Sequence, residues 1–232
     1  MIRKLVLLDI DGTLLHGGGI GRAAKAVAMK DVFGTDGGVE THPFGGKTDW
    51  QILNETLIGA GISAATIQAK LGAYQEQFAK HMAAMIDDFP VAACPGAHDL
   101  VNTLHADEGI LMGIVTGNTS LTAPIKLRAG GFDPAWFPIG AYGNEADNRP
   151  ALPRLAWDRA QTYANQTIAA QDVIVVGDTA LDTEAGRAMN AVNVLVKTGY
   201  ESLEKLQAAQ PDYLLDDLTT FLDIVLLEQN VT

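Results

Sequence analysis

The sequence predicts an α/β fold: a doubly wound, mostly parallel, Rossmann-like sheet with a small α-helical cap inserted after the first strand. A buried apolar strand at residues 5–8 opens the chain, helical patterns alone follow to about residue 91, and strand and helix patterns then alternate. Such alternation produces parallel strands whose carboxyl ends share one edge of the sheet. We therefore assign residues 1–16 and 92–232 to a core domain and residues 17–91 to a helical cap domain.

The cap helices are predicted from apolar spacing and from the turn residues between them. Residues 22–33 carry an apolar stripe that Gly34 ends, and helices at 49–59 and 64–85 follow. Because these helices come before any second parallel strand, we interpret them as an insertion and not as part of the sheet.

The loop before the second cap helix contains Gly46, Lys47 and Thr48. Two interpretations are open for it. Thr48 or Asp49 caps the helix that follows, or the loop faces the substrate and Lys47 reaches an anionic group.

The core elements are predicted in alternation after Pro95-Gly96, which marks the return of the chain to the core. Apolar runs bounded by glycine, proline and small polar residues indicate the strands, and amphipathic segments indicate the helices. Strands are predicted at residues 110–115, 137–142, 172–176, 193–196 and 213–215, and helices at 97–105, 120–129, 152–164 and 183–189.

Composition narrows the class of protein. The 232 residues are 47% hydrophobic, which is ample for a core, and 16 basic against 28 acidic side chains give a net charge of −12. Without a basic cluster this charge argues against binding to nucleic acid or to an anionic membrane surface, and favours a small substrate. Cys94 is the only cysteine, so an internal disulfide is excluded, and no apolar run is long enough to span a bilayer. We expect a cytoplasmic protein.

Two carboxylates follow the first strand directly. Asp9 and Asp11 are two residues apart, so in an extended segment they share a face and converge on one point. They stand at the carboxyl edge of the predicted sheet, where open α/β folds bind ligands. Such a pair can hold a hard cation or divide the roles of nucleophile and proton carrier.

Two further strands end in polar residues at the same edge. The strand at 110–115 ends in Thr116-Gly117-Asn118, whose hydroxyl and backbone N–H groups are suited to a phosphate group. The strand at 172–176 is followed by Asp178 and Asp182, which places one acid in the turn and one at the start of the next helix. Each feature alone could be an ordinary helix cap, but together they predict a single site.

These residues suggest a phosphoryl-transfer mechanism. Asp9, Asp178 and a backbone carbonyl near Asp11 would hold Mg²⁺, which neutralises a substrate phosphate so that Asp9 can attack it. Asp11 would protonate the leaving alcohol and then deprotonate water, and Thr116 with the neighbouring amides would bind the phosphoryl oxygens.

Three motifs resemble those of phosphatases of the haloacid dehalogenase superfamily, closest to the phosphoglycolate-phosphatase-like group. They are the apolar strand with Asp-x-Asp-Gly-Thr at residues 5–13, the strand ending in Thr116, and Gly-Asp-x-x-x-Asp at 177–182. The resemblance implies a Mg²⁺-dependent enzyme that hydrolyses a small phosphorylated metabolite through an aspartyl-phosphate. It implies that Gly46, Lys47 and Thr48 touch the substrate. It also implies that Asp182 interacts with the metal ligands without binding the ion itself.

The third motif of that family is a lysine, commonly followed by proline, and no Lys-Pro pair exists here. Arg149-Pro150 occupies the expected loop, while Lys126 lies on the helix after Thr116, where some members carry their lysine. We favour Arg149 and keep Lys126 as the alternative.

Three other functions compete with this interpretation. A phosphomutase would use the same aspartyl-phosphate and differ in how the cap excludes water. A dehalogenase has no use for Asp11 or Asp178, and a non-catalytic phosphate-binding module would not need both Asp9 and Asp11.

Overall fold

The computed structural model describes residues 1–146 and 148–223. Within these residues the main sheet has six strands, which are β1 (Lys4–Leu8), β4 (Ile110–Thr116), β5 (Ile139–Tyr142), β6 (Val173–Gly177), β7 (Val192–Val196) and β8 (Tyr213–Leu215). All six are parallel, and their order across the sheet is β5-β4-β1-β6-β7-β8. The predicted fold class, a doubly wound parallel α/β sheet, is confirmed.

Strand β1 lies in the middle of this sheet because both of its faces are apolar. Val6 and Leu8 belong to the hydrophobic cluster on one face, and Leu5 and Leu7 belong to the cluster on the other. The chain proceeds from β1 to β4 and β5 on one side and returns to β6 on the other. The direction of winding therefore reverses beside β1, which is where open α/β sheets bind their ligands.

Helices cover both faces of the sheet. They are α4 (Ala97–Ala106), α5 (Ala123–Ala129), α6 (Leu152–Ala164), α7 (Ala180–Arg187) and α8 (Leu203–Ala208). The sequence pattern did not predict α8, which is short and contributes Leu206 as its buried residue. Six residues give less than two helical turns, too few for a clear apolar periodicity.

Two helices of the predicted core domain begin at other residues than predicted, and local hydrogen bonds explain both. Helix α7 begins at Ala180 and not at 183 because Thr179 and Asp182 form a reciprocal capping box. Helix α5 begins at Ala123 and not at 120 because the Thr119 hydroxyl accepts the Thr122 N–H at 3.2 Å, which closes a turn first.

Residues 17–91 contain α1 (Ile20–Phe33), α2 (Asp49–Gly59) and α3 (Ala64–Met85), which pack around a hydrophobic cluster of their own. At the junction, β2 (Leu15–His16) and β3 (Ala92–Ala93) form a short antiparallel pair. The division into two domains stays a prediction. Residues 224–232, the last of the predicted core domain, lie outside the described residues, as does residue 147.

The described part of the chain contains no helix that is both long and apolar enough to cross a membrane.

Candidate active site

Asp9 lies directly after β1, between the ends of β4 and β6. Its N–H donates to the Val176 carbonyl at 3.0 Å, which continues the pairing of the strands. The residue is 3% exposed, and one carboxylate oxygen lies 2.7 Å from Arg149 Nη2. The other oxygen, Oδ1, is buried without a hydrogen-bond partner among the described residues. A buried carboxylate oxygen in this state is suited to a ligand.

Asp178 and Asp182 complete a cluster of buried carboxylates with Asp9, in which one oxygen of each lies within 4.8 Å of the others. Asp178 occupies the turn after β6. Asp182 has other partners as well, since its Oδ2 accepts the Thr179 N–H at 3.1 Å and its Oδ1 accepts Arg149 Nε–H at 3.0 Å. Asp9 and Asp178 are therefore the two members with the greater freedom to bind a cation.

The pKa values of these carboxyl groups reflect their burial. Burial raises the pKa of Asp9 to about 6, against the lowering effect of the Arg149 guanidinium and with a further rise from Asp182. Burial and the Asp9 charge raise the pKa of Asp178 well above its usual range. Negative charge is thus under-compensated here, and the buried oxygen donors fit a hard cation such as Mg²⁺.

Two glycines allow the backbone to approach Asp178 closely. A Cβ atom on Gly12 would lie 2.4 Å from Asp178 Oδ2, and one on Gly199 would lie 1.7 Å from it. Gly12 also has φ +85°, which L-residues with side chains rarely adopt. Any larger residue at these positions would displace Asp178.

The Asp11 carboxylate lies outside that cluster. It accepts hydrogen bonds from Lys126 Nζ at 2.7 Å and from Asn118 Nδ2 at 2.7 Å. Burial alone would raise the pKa of Asp11, but the Lys126 ammonium and the Asn118 amide lower it overall. In this conformation Asp11 is therefore ionised.

We call residues 116–119 the Thr116 loop. Thr116 is buried, and its hydroxyl accepts hydrogen bonds from the Asn118 side chain at 2.8 Å and from the Asn118 N–H at 3.3 Å. Gly117 lies against residues 17–91, which we call the helical segment. A Cβ atom on Gly117 would come within 2.4 Å of the Lys47 carbonyl oxygen. The loop thus connects Asp11 with residues of the segment 17–91.

Both candidates for the third motif contact the predicted catalytic acids. Arg149, in a short 3₁₀ helix before α6, bridges Asp9 at 2.7 Å and Asp182 at 2.8 Å. Lys126, on α5, pairs with Asp11. The guanidinium is thus the cation beside the proposed nucleophile, while the ammonium is beside the proposed proton carrier.

The three residues of the predicted substrate loop, 46–48, differ in their contacts. Gly46 and Lys47 line the cavity beside Asp9, and Gly46 has φ +68°. The Lys47 ammonium is paired with Glu55. Thr48 is fully buried and forms a capping box with Gln51 at the start of α2. The capping interpretation is therefore correct for Thr48, while Lys47 lies where a substrate could reach it.

A cavity of about 810 Å³ lies between the sheet edge and the helical segment. Besides the predicted residues, Arg22, Phe44, Tyr200 and Lys205 line it, and sequence reasoning missed them. The Arg22 guanidinium carbon lies 3.9 Å from the centre of the Phe44 ring. The guanidinium also donates to the backbone carbonyls of residues 40 and 42, just before Phe44. Arg22, Phe44 and Tyr200 each adjoin a glycine, which was the available signal for them, while Lys205 carried none.

The chain belongs to the haloacid dehalogenase-like hydrolase family, since the model of that family matches residues 3–190. The prediction that it is an enzyme of this superfamily is confirmed.

Individual relatives are distant but span nearly the whole chain. A phosphoglycolate phosphatase of Vibrio cholerae is 25% identical and covers 97% of each chain. The crystal structure of a predicted phosphoglycolate phosphatase from Haemophilus somnus superimposes with a TM-score of 0.68 at 18% identity, covering 96% of this chain and 97% of the other. The crystal structure of a Thermotoga maritima protein assigned as a β-phosphoglucomutase superimposes with a TM-score of 0.61 at 15% identity. The match covers 97% of this chain and 99% of the other.

Proposed function

We propose that the protein is a Mg²⁺-dependent phosphatase that hydrolyses a small organophosphate monoester through an aspartyl-phosphate on Asp9. The observation that carries the proposal is the buried pair Asp9 and Asp178, whose charge is under-compensated, at the floor of a cavity that also presents Thr116, Asn118 and Arg149. The similarity to phosphoglycolate phosphatases of Vibrio supports a phosphate monoester as the substrate class.

Asp9 is the proposed nucleophile. Its carboxylate attacks phosphorus, the ester P–O bond breaks, and the leaving alkoxide takes a proton from Asp11. Water then attacks the phosphorus of the acyl phosphate, Asp11 takes the proton of that water, and the Asp9 carboxylate leaves. Arg149, 2.7 Å from Asp9, holds the carboxylate in position and offsets negative charge as the phosphate approaches.

Asp11 must be protonated for the first of these steps, whereas Lys126 keeps it ionised in this conformation. We propose that Lys126 turns from Asp11 to the phosphoryl oxygens when substrate binds. Thr116 and the Asn118 side chain stand next to both groups and complete the binding of those oxygens.

Asp9 and Asp178 would hold the magnesium ion, with the backbone carbonyl near Asp11 as a further ligand and Asp182 supporting them through Arg149. The ion would neutralise the substrate phosphate and so permit the approach of an anionic nucleophile.

The size of the cavity, about 810 Å³, matches a small metabolite. Gly46 and Lys47 in its wall support a role for the loop at residues 43–48 in substrate contact, with Arg22 as an additional cation. We also propose a cytoplasmic location, because the single cysteine, Cys94, is free and buried, as is usual in a reducing compartment.

A phosphomutase is the second candidate, because the T. maritima relative shares the fold along its whole length. It would transfer the phosphoryl group from Asp9 to a second hydroxyl and not to water. Phosphate release from a simple ester separates the two.

The test is release of inorganic phosphate from para-nitrophenyl phosphate with and without Mg²⁺, followed by kcat/KM for a panel of phosphorylated metabolites. We expect Mg²⁺-dependent turnover in the wild type, and turnover lower by about 10³-fold or more in Asp9→Asn. Wild-type turnover by Asp9→Asn would eliminate the covalent mechanism.

A further inference from the structure

Lys25 is a lysine of helix α1 that the proposed mechanism does not use. Its side chain is fully buried, and its ammonium lies near the Tyr74 and Phe78 rings of α3. Its ammonium lies 3.2 Å from the Tyr74 hydroxyl and 4.6 Å from the centre of the Phe78 ring. Its charged partner is Asp49, whose Oδ1 lies at 2.7 Å.

Asp49 connects this lysine to the catalytic edge of the sheet. The Asp49 side chain is on the first residue of α2, and its second oxygen, Oδ2, accepts the Thr119 N–H at 3.1 Å. The Asp49 N–H donates to the Gly117 carbonyl at 2.7 Å. Asp49 therefore binds the Thr116 loop by two hydrogen bonds, one through its side chain and one through its backbone N–H.

A buried ion pair of this kind is not explained by stability. Removal of two charges from water costs several kcal/mol, and apolar side chains of similar volume in the same place are often equally stabilising. Tyr74, Phe78 and their neighbours already form an apolar cluster that a methionine at position 25 would extend. What the ion pair adds is a fixed orientation for the Asp49 carboxylate.

That orientation matters because the Thr116 loop carries the proposed phosphate-binding groups. Asn118 lies between Gly117 and Thr119, the two residues that Asp49 binds, and its side chain contacts both Asp11 and Thr116. A rotation of the Asp49 carboxylate would release the Thr119 amide and let the loop turn away from Asp11.

We propose that Lys25 and Asp49 are positioning residues for catalysis. Lys25 fixes the Asp49 carboxylate, Asp49 fixes the Thr119 amide and the Gly117 carbonyl, and the loop so held presents Thr116 and Asn118 to the phosphoryl group. The catalytic part of this inference rests on the proposed phosphatase function; the connection between Lys25 and the loop does not.

The experiment compares Lys25→Met, Asp49→Ala and the double variant, with Lys30→Met as control. Lys30 is on the same helix, but it is exposed and pairs with Asp36. For Lys25→Met we expect kcat/KM with para-nitrophenyl phosphate to fall roughly ten- to a hundredfold, and inhibition by inorganic phosphate to weaken, since misplacement by about 1 Å has such effects. The control should retain wild-type values.

Two readouts separate positioning from a merely structural role. Hydrogen exchange in a peptide spanning residues 116–122 of the ligand-free protein should become faster in Lys25→Met, while peptides of β6 remain protected. The double variant should be no less active than Asp49→Ala, because both residues act through the same contact.

The outcomes are distinct. Unchanged exchange in residues 116–122 and a kcat/KM within about twofold of wild type in Lys25→Met would overturn the inference. A wild type that releases no phosphate would refute the proposed function, and the exchange measurement would still test the contact. Should Lys25→Met not fold, Asp49→Asn serves instead, since it retains an acceptor for the Thr119 amide and removes the charge that faces Lys25; unchanged exchange and activity there would also contradict us.

Discussion

Asp9 occupies an unfavourable environment for a carboxylate, and this is consistent with its proposed role. Its pKa is raised to about 6 by burial, with only partial relief from Arg149. Ionisation of Asp9 in the metal-free protein therefore opposes folding, which is common where a site is built for a ligand that carries the compensating charge.

The first prediction concerns stability at this residue. The pKa of Asp9 is higher in the folded protein than its ordinary value of 3.8, so ionisation lowers stability as the pH rises from about 4 through about 6. Asp9→Asn stays neutral and should be more stable than the metal-free wild type at pH 7, by roughly 2–3 kcal/mol. Urea unfolding in EDTA at pH 7 and near pH 4 measures the difference, which should shrink at the lower pH. Equal stabilities at pH 7 would contradict the prediction.

The second prediction decides between Arg149 and Lys126. Arg149→Ala should lower kcat by about 10²-fold or more, because it removes the cation beside the nucleophile and leaves Asp182 without its guanidinium partner. Lys126→Ala should also reduce kcat/KM and, in addition, raise the pKa of Asp11, which loses its ammonium partner.

The measurement is the pH profile of kcat/KM for both variants beside the wild type. Equally mild effects in both would refute a role for either cation. A shift, in Arg149→Ala alone, of the limb that reports the Asp11 proton would assign Arg149, and not Lys126, to the control of Asp11.

At the level of elements, the site depends on loops that approach one another closely after β1, β6 and β7. The loop after β7 passes so near Asp178 that Gly199 has no room for a side chain. Hydrogen bonding reinforces this approach, since the Thr198 hydroxyl donates to the Gly12 carbonyl at 2.6 Å. The packing of Gly12 and Gly199 thus determines where Asp178, a proposed metal ligand, lies.

The third prediction tests this packing. Gly199→Ala should weaken Mg²⁺ binding about ten- to a hundredfold, as changes next to metal ligands commonly do, because the added methyl group displaces the Asp178 carboxylate. The concentration of Mg²⁺ for half-maximal activity reports it. Gly72→Ala is the matched control, since Gly72 is an exposed residue of α3 with open space around it. Equal Mg²⁺ requirements for both variants would contradict the packing argument.

For the whole molecule, binding of Mg²⁺ should be linked to protons and to folding. Asp9 and Asp178 must lose their protons to bind the ion, and burial raises the pKa of both. An ion that binds only the folded state stabilises it, by about 2.7 kcal/mol at a hundredfold excess over its Kd.

The fourth prediction follows from this linkage. Mg²⁺ should raise the melting temperature at pH 7.5, and about tenfold more Mg²⁺ or greater should be needed for the same rise at pH 5.5. Thermal unfolding across a Mg²⁺ titration measures it, with Asp178→Asn as the variant that should respond little. A response independent of pH would contradict the assignment of these carboxylates as ligands.

The sequence was sufficient for the fold class and for the neighbourhood of the site. The apolar run of β1 followed by Asp9 and Asp11, and the polar ends of β4 and β6, are local patterns that have the same meaning in any parallel sheet. The boundaries of α5 and α7 were predicted less well, because side-chain caps at Thr119 and Thr179 decided them.

The sequence could not predict which side chains from distant parts of the chain form pairs. The resemblance to the family's third motif offered both Arg149 and Lys126 as candidates, but only the folded chain pairs the first with Asp9 and the second with Asp11. Arg22, Lys25, Tyr200 and Lys205 carried no motif, and Asp49 was interpreted as a possible cap alone. Their contacts join residues from distant parts of the chain.

The sequence by itself determined the six strands of the main sheet, their parallel direction and the chemistry of the residues at their ends, because apolar periodicity and residue type act locally. The tertiary structure alone decided which cation neutralises which acid, how deeply Asp9 and Asp178 are buried, and that Asp49 connects Lys25 to the Thr116 loop. Burial and pairing depend on distances between segments that are far apart in the chain, and only folding sets those distances.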